Sequence, residues 1–325
     1  MNILVTGGAG YIGSHTVHEL ISKSRSVIVY DNLSKGHRWS VPTQARLVVG
    51  DIRDSDLLRR TIQENKIEAV IHFAADSLVG ESMQEPAKYY HNNVVATLAL
   101  LDSLLACDVK KIVFSSTAAV YGEPEETPIT ETMATEPTNV YGRTKLIIES
   151  IMADYERAYG LSYVSLRYFN AAGAHVSGAV GEDHNPESHL IPLILKTALG
   201  QREAIDIYGT DYPTADGTCI RDYIHVTDLA NAHILALDYL AGKGRSAIYN
   251  LGSETGFSVR EVVNRAKAIT GIDFPVRETV RRAGDPAILV ASSAKIRLDL
   301  GWLPVCSDID TIIASAWRWH SSQKK

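Results

Sequence analysis

Short apolar runs separated by amphipathic stretches dominate the first half of the chain. Runs rich in β-branched and aromatic residues predict strands at residues 2–6, 26–30, 46–50, 68–73, 111–116 and 163–168. Stretches with helical periodicity lie between them, at residues 11–23, 54–65, 94–107 and 141–160. Since the strands are almost continuously apolar, both of their faces are expected to be buried. The alternation therefore predicts an α/β fold with a Rossmann-type, doubly wound parallel sheet.

The pattern changes after about Asn170, where glycine, proline and histidine become frequent. Helices and short strands then mix irregularly, which predicts a second, smaller α/β region for substrate binding. We expect one domain over residues 1–170 and this second region over residues 171–325. Regular elements within residues 218–252 are expected to pack back on the first domain.

Composition excludes several classes of protein. The net charge of the 325 residues is −6, so no basic face for nucleic acid is indicated. No apolar run approaches the length of a membrane span, and the N-terminal stretch is too short for a signal peptide. The three cysteines are far apart, and no cysteine–histidine cluster has zinc spacing. We therefore expect no nucleic acid, no membrane, no metal and a cytoplasmic location.

A glycine-rich loop joins the first strand to the first helix. In "VTGGAGYIG", Gly7, Gly10 and Gly13 permit a tight turn and the close approach of a pyrophosphate to the helix amides. Asp31 ends the second strand, where its carboxylate can accept both hydroxyls of an adenosine ribose. That favours NAD over NADP, whose 2′-phosphate it would repel. A tight turn with no ligand is the alternative.

Two further strand ends fit a dinucleotide lying across the sheet edge. Asp51 ends the third strand and can hold the adenine amino group, although it can equally cap the next helix. The fourth strand ends in "HFAA", residues 72–75, whose small side chains let a cofactor approach.

Tyr141 and Lys145 stand four apart in "YGRTK" and project from one face of a helix. A free tyrosine has a pKa of about 10 and is a poor base at neutral pH. We expect the Lys145 ammonium and a positively charged nicotinamide to lower the pKa of Tyr141. An exposed tyrosine–lysine pair is the alternative.

The motifs "TGGAGYIG", "FSST" and "YGRTK" resemble the extended short-chain dehydrogenase/reductase superfamily. Further segments resemble the UDP-glucose 4-epimerase family within it, from residue 2 to about residue 290. They are "NLSKGHR", "YYHNN", "RYFNAAGAH", "GEDHNPESHLIP", "YGTDYPTADGTCIRDYIHVTDLANAH", "YNLGS" and "RRAGDP". The resemblance implies an NAD-dependent isomerase that reversibly inverts C4 of UDP-glucose and UDP-galactose through a 4-keto intermediate. Tightly bound NAD would be regenerated in every turnover.

The resemblance also implies the residues of the site. Tyr141 would remove the proton of the 4-hydroxyl, Lys145 would hold the nicotinamide ribose, and Thr117 would bind the same hydroxyl as Tyr141. The implied cofactor site comprises Gly7, Gly10, Tyr11, Ile12, Gly13, Asp31, Asn32, Asp51, Ile52, Phe73, Ala74, Ala75, Asn92, Tyr141, Lys145 and Tyr168. The implied UDP-sugar site comprises Thr117, Asn170, His189, Leu190, Tyr208, Arg221, Arg282, Asp285 and Leu289. An ion-pair role for the two arginines is the alternative.

Three positions depart from the pattern of many family members. His189 replaces an asparagine, Ser77 replaces a lysine of some members, and Leu289 stands where some carry a tyrosine. The first two departures affect affinity. The shorter Leu289 predicts room for an N-acetyl group, and so activity on UDP-N-acetylglucosamine and UDP-N-acetylgalactosamine as well; simple packing of Leu289 is the alternative.

Other functions compete with C4 epimerisation of the neutral sugars. A 4,6-dehydratase usually carries Asp-Glu after the strand-end threonine, but Ala118 and Ala119 follow Thr117 here. A UDP-glucuronate 4-epimerase would use an arginine for the carboxylate, and a non-catalytic NAD-binding regulator would need no catalytic triplet. The resemblance further implies a homodimer joined through the helices of residues 94–107 and 144–160, which could instead be core helices.

Overall fold

The computed structural model describes residues 1–242, 244–282 and 285–323. Its strands are β1 Asn2–Thr6, β2 Ser26–Asp31, β3 Arg46–Val49, β4 Ala69–His72, β5 Lys111–Ser115, β6 Ser162–Tyr168, β7 Asn170–Ala172, β8 Ile205–Tyr208, β9 Ile220–His225, β10 Ala247–Leu251, β11 Gly256–Ser258, β12 Val276–Thr279 and β13 Ile288–Leu289. Its α-helices are α1 Tyr11–Ser22, α2 Ser55–Glu64, α3 Val79–Gln84, α4 Pro86–Tyr89, α5 Ala96–Ala106, α6 Val140–Tyr159, α7 Leu190–Ala198, α8 Val226–Ala241, α9 Val259–Thr270, α10 Ala294–Leu300 and α11 Ile309–Ser322.

Seven parallel strands form the main sheet, in the order β10-β6-β5-β4-β1-β2-β3. The order reverses beside β1, which is the switch point where ligands bind in doubly wound sheets. The predicted α/β fold class is confirmed, and each of the six predicted strands agrees with the structure to within one residue at each end. Their apolar runs are long enough to give a clear signal.

Helices bury both faces of this sheet. Val17 and Leu20 of α1 pack with Leu237 and Leu240 of α8 against one face. On the other face, α2, α5 and α6 contribute a second core that includes Leu58, Leu100, Leu104, Ile148 and Met152. Each sheet face therefore has its own apolar layer, as the continuous apolar strands require.

A smaller region lies beyond the main sheet. Strands β11, β9 and β13 pair in that order with β7 beside β9, and β12 pairs with β8. Helices α7, α9 and α11 cover these strands with a separate apolar core. Strand β10, by contrast, returns to the main sheet and pairs with β6 in parallel. The division at residue 170 remains a prediction. Strand β10 and helix α8 follow residue 170 in the sequence but pack with the main sheet.

Among the described residues, no helix is both long enough and apolar enough to cross a membrane.

Candidate active site

The glycine loop runs close to the end of the fourth strand. Gly7 has a φ of +71°, and a Cβ there would lie 2.6 Å from the backbone nitrogen of Ala74. A Cβ on Gly13 would lie 2.2 Å from the carbonyl oxygen of Gly7. Helix α1 begins after Gly10, whose position lacks a side-chain cap. Its first amides therefore remain available to an anion at the sheet edge.

A cleft of about 520 Å³ opens at this edge. It is lined by twelve of the residues predicted for the two ligands: Gly7, Gly10, Tyr11, Ile12, Gly13, Phe73, Ala75, Lys145, Tyr168, Asn170, His189 and Leu190. Asn170 donates a hydrogen bond from Nδ2 to the carbonyl of Asp222 at 2.8 Å. His189 is the last residue before α7 and contacts Glu182 through Nδ1.

Sequence reasoning left out several residues that line the same cleft. They include Leu33, Ser34, Lys35, Gly36, His37, Asp76, Leu78, Phe169, His184, Pro186 and Tyr223. The segment "NLSKGHR" was an available signal because it directly follows Asp31. Gly36 lets this segment approach the glycine loop, since a Cβ there would meet the backbone of Ala9 at 2.7 Å.

The two predicted carboxylates at the strand ends differ in their surroundings. Asp31 is buried and accepts hydrogen bonds from the amides of Ala9 at 2.9 Å and Leu33 at 2.8 Å. Burial raises the pKa of Asp31, and these bonds oppose the rise. Asp51 is held at both oxygens by the Arg53 guanidinium, at 2.8 and 2.6 Å. The hydrogen bonds from Arg53 lower the pKa of Asp51 to about 2.

The proposed N-cap role of Asp51 is wrong, because Asp54 caps α2 by accepting from the amide of Leu57. The two carboxylates stand only three residues apart, so sequence spacing could not decide between them. Of the other predicted cofactor residues, Ile52 is buried. Asn92 lies in the single π-helical turn Tyr90–Val95, a local widening that is frequent at functional sites.

The start of α6 lies against the turn that follows β5. Asn139 caps α6 by accepting from the amide of Gly142 at 2.8 Å. A Cβ on Gly142 would come within 2.4 Å of the carbonyl of Ala119, so only glycine permits this approach. The approach brings Tyr141 next to Thr117, which starts the turn Ala118–Tyr121.

Tyr141 and Lys145 are both buried, which contradicts an exposed helix pair. The Lys145 ammonium donates to the carbonyl of Ser115 at 2.8 Å and lies 5.8 Å from the centre of the Tyr141 ring. Tyr168 lies beside them, and its hydroxyl contacts Ser115 Oγ. The three predicted catalytic residues therefore lie next to one another, and Lys145 among them lines the cleft.

The lowering of the Tyr141 pKa was predicted for the site with a positively charged nicotinamide, and in the protein without cofactor the pKa moves the other way. Burial raises the pKa of Tyr141 to about 12, although the hydrogen bond with Thr117 opposes the rise. Burial also lowers the pKa of Lys145 to about 7, against the opposing charge of Glu149. At neutral pH, Lys145 thus carries only part of its charge. Sequence spacing places the two side chains on one face but does not show how deeply they are buried.

A buried ion pair supports α6 one turn beyond Lys145. Glu149 accepts from Nε of Arg167 at 3.0 Å and from Nη2 at 2.5 Å, and both side chains are almost completely buried. Ser116 donates to the same carboxylate at 2.6 Å. Tyr121 accepts from Arg167 at 2.9 Å. Because Ser116 precedes Thr117, this network ties the end of β5 to the helix that carries Tyr141.

Six predicted substrate residues lie outside the cleft lining: Thr117, Tyr208, Arg221, Arg282, Asp285 and Leu289. Arg221 pairs with Asp285, and the Arg282 guanidinium lies 4.0 Å from the centre of the Tyr208 ring. Leu289 is half-buried and packs on the small cluster of Val120, Tyr121 and Ile129. In the protein without substrate, Arg221 therefore has the ion-pair role that the sequence left as the alternative. The "RRAGDP" motif includes residues 283 and 284, which lie outside the described residues.

The site fits a dinucleotide with a pyrophosphate. The close contacts that a Cβ would make at Gly7 and Gly13 leave the backbone open beside the uncapped start of α1. Asp31 retains acceptor capacity beyond its two amide bonds, since a carboxylate accepts about four hydrogen bonds. Lys145 and Tyr168 line the other end of the cleft. The groups therefore match the parts of a dinucleotide: Asp31 the adenosine ribose, the glycine loop the pyrophosphate, and Lys145 the nicotinamide end.

Comparison with known proteins gives a consistent result. The sequence model of the NAD dependent epimerase/dehydratase family matches residues 3–252. A UDP-glucose 4-epimerase of Halalkalibacterium halodurans is 56% identical over 320 residues, covering 98% of this chain and 96% of that protein.

Solved structures agree over the whole length. A UDP-glucose 4-epimerase from Brucella ovis in complex with NAD has a TM-score of 0.95 and 50% identity, covering 97% of both chains. One from Bifidobacterium longum in complex with NAD⁺ and UDP has a TM-score of 0.93 and 41% identity, covering 99% of both chains.

Proposed function

The chain belongs to the NAD dependent epimerase/dehydratase family, and we propose that it is an NAD-dependent isomerase that interconverts UDP-glucose and UDP-galactose at C4. The single observation that carries this proposal is the grouping of Thr117, Tyr141 and Lys145 beside a cleft that Lys145 and the glycine loop both line. A non-catalytic regulator would not need this arrangement.

When bound, NAD supplies a hydride acceptor at C4 and a positively charged nicotinamide ring. Tyr141 accepts the proton of the 4-hydroxyl, and Thr117 holds that hydroxyl by a hydrogen bond. Lys145 holds the nicotinamide ribose and stabilises the Tyr141 phenolate. Because burial alone raises the pKa of Tyr141, ionisation depends on positive charge arriving with the ligands. Since the hexose would be held loosely, the 4-keto sugar could turn its other face toward the cofactor, and Tyr141 would return the proton to the 4-oxygen.

Epimerisation requires a firm hold on the nucleotide and a loose hold on the hexose. Arg221 and Arg282 offer forked donors for phosphate oxygens, and Asp285 suits a ribose hydroxyl. In the protein without substrate, Arg221 pairs with Asp285 and Arg282 stacks on Tyr208. These contacts hold the charged side chains in place before the nucleotide binds. Substrate binding would exchange the Arg221–Asp285 pair for contacts with the nucleotide.

Two other enzyme classes are less well supported. A 4,6-dehydratase needs an acid and a base beside the strand-end threonine, but Ala118 and Ala119 transfer no proton. A UDP-glucuronate 4-epimerase needs an arginine for the sugar carboxylate, but Arg221 and Arg282 are assigned to the phosphates of the nucleotide.

The proposal is tested by incubating the purified chain with UDP-galactose and measuring UDP-glucose formation. In parallel, UDP-glucuronate is tested as a substrate, and the reaction mixtures are analysed for a 4-keto-6-deoxy product. Formation of the C4 epimer without added NAD supports a tightly bound cofactor. Turnover of UDP-glucuronate alone, or formation of the 4-keto-6-deoxy product, contradicts the proposal.

We expect Asp31→Ala to weaken NAD binding roughly 10- to 100-fold, as follows from losing a hydrogen bond to a charged group worth about 1.5–3 kcal/mol. The preference for NAD over NADP should also shrink, because the carboxylate that repels a 2′-phosphate is gone. Both dissociation constants are measured on the cofactor-free chain. Asp56→Ala, which removes an exposed carboxylate from α2, is the matched control. An unchanged NAD/NADP ratio in Asp31→Ala contradicts the role.

We expect the wild type to act on UDP-N-acetylgalactosamine as well as UDP-galactose, and Leu289→Tyr to lose the acetylated substrate selectively. Apolar pockets discriminate by about 1–3 kcal/mol per methylene, so a larger side chain at the wall should exclude the acetamido group. The measurement is kcat/KM for both sugars. A wild type inactive on the acetylated sugar, or a tyrosine variant that accepts it equally well, shows that Leu289 only packs against Val120 and its neighbours.

A homodimer and a cytoplasmic location complete the proposal. Tyr159 of α6 is 54% exposed, and Val95, directly before α5, is 46% exposed. A second copy could cover them, which light scattering with Ile147→Glu would test. Cys107, Cys219 and Cys306 are all free thiols, in keeping with a reducing compartment.

A further inference from the structure

Four potential metal ligands meet in the segment between β7 and α7. Glu182, His184, Glu187 and His189 each turn one nitrogen or oxygen toward the others, and these four atoms all lie within 4.8 Å of one another. His184 and His189 also line the cleft. Nothing in the proposed epimerase reaction uses this cluster as a unit.

Two atoms of the cluster lack the partner that burial demands. The Glu187 side chain is only 3% exposed. Its Oε1 accepts from the amides of Ser188 at 2.8 Å and His189 at 2.9 Å. Among the described residues, Glu187 Oε2 is buried and has no hydrogen-bond partner. His184 Nδ1 is buried too, and although it lies 3.2 Å from Glu182 Oε1 the two do not have the angle of a hydrogen bond. A buried carboxylate oxygen and a buried ring nitrogen without partners are costly unless a ligand binds them.

The charges of the four side chains also favour a bound cation. The Glu182 side chain is also 3% exposed, so two carboxylates are buried side by side. Within the described ranges, their only ion-pair partners are His184 and His189, with no lysine or arginine. A divalent cation would neutralise both carboxylates and leave both imidazoles uncharged, as metal ligation requires.

The spacing suits a first-row transition metal. Bonds of about 2.1 Å place the ligand atoms of a tetrahedral site about 3.4 Å apart. His184 Nδ1 lies 3.2 Å from Glu182 Oε1 and 4.0 Å from Glu187 Oε1, and His189 Nδ1 lies 3.9 Å from Glu187 Oε1. Only the direct contact of His189 with Glu182 must open to admit an ion.

We propose that Glu182, His184, Glu187 and His189 bind one divalent transition-metal ion, for which Zn²⁺ is the probe. Two imidazoles and two carboxylates favour zinc, cobalt, nickel or manganese over magnesium and calcium, which prefer oxygen ligands alone. The sequence predicts no metal, because this segment contains no cysteine and so has no cysteine–histidine cluster with zinc spacing. A metal-free hydrogen bond between His189 and Glu182 is the competing explanation.

The experiment measures Zn²⁺ binding to the full chain after chelator treatment, by calorimetry without substrate. The expected result is one ion per chain, with a dissociation constant that His184→Gln and Glu187→Gln each raise at least about tenfold. His91→Gln, an exposed histidine outside the cluster, is the matched control and should bind like the wild type. Co²⁺ loading should give ligand-field bands without thiolate charge transfer, which separates this cluster from the three cysteines.

The melting temperature of each variant is measured with and without Zn²⁺. A rise with Zn²⁺ in the wild type that disappears in folded His184→Gln supports the site. The absence of saturable Zn²⁺ binding, or equal affinity in the wild type and both cluster variants, overturns it. Neither readout requires epimerase activity, so failure here is distinct from failure of the proposed function.

Discussion

Tyr141→Phe should lower kcat on UDP-galactose by about 10²–10⁴-fold, which is the usual contribution of a positioned general acid or base. The phenyl ring keeps the packing of the buried side chain and removes only the group that exchanges the proton. KM and bound NAD should change little, because the hydroxyl is not a main contact for the nucleotide.

The matched control is Tyr239→Phe, which removes a hydroxyl from α8, away from the catalytic end of α6. NAD content is measured from the denatured protein in all three samples. Turnover of Tyr141→Phe within threefold of the wild type, at equal NAD content, would exclude Tyr141 as the proton acceptor.

Arg167→Met should reduce the free energy of unfolding by about 3–5 kcal/mol, the cost of leaving one member of a buried ion pair uncompensated. Glu149 would remain in the core beneath α6 with only Ser116 as a side-chain donor. Denaturant unfolding at matched NAD content measures the loss. The same variant should also slow turnover, because the ion pair fixes the helix that carries Tyr141.

Two further variants make this prediction specific. The double variant Arg167→Met/Glu149→Leu should recover most of the lost stability, since no unpaired charge is left in the core. Arg157→Met breaks an ion pair with Asp154 that is 76% and 65% exposed, and should cost less than about 1 kcal/mol. Equal losses in Arg167→Met and Arg157→Met would contradict the argument.

The main sheet was predictable because its strands carry a strong local signal. Runs such as Ile3 to Val5 are wholly apolar, and a glycine loop of this form has few uses other than joining a strand to a phosphate-binding helix. Strands β7 and β13 were not predicted, since three and two residues are too few to establish a period of two.

The parts of the site that escaped prediction depend on distant contacts or burial. Arg221 and Asp285 are 64 positions apart, and only the fold brings them together. Burial raises the pKa of Tyr141 in the protein without cofactor, and spacing cannot show this because it reveals a neighbouring lysine but not the loss of water around both groups. The cluster of Glu182, His184, Glu187 and His189 was not predicted as a metal site. Two histidines alone do not indicate one, and only the fold shows that two carboxylates supply the other ligands.

The return of β10 to the main sheet has a consequence for biosynthesis. Strand β6 has β5 on one side, and among the described residues its other edge pairs only with β10, which follows many residues later. At about 5–20 residues per second, translation leaves that edge open for several seconds after β6 emerges from the ribosome. An unpaired apolar edge is a template for association between nascent chains. We therefore expect chaperone dependence to be concentrated in this interval, and fragments that end between residues 170 and 246 to aggregate.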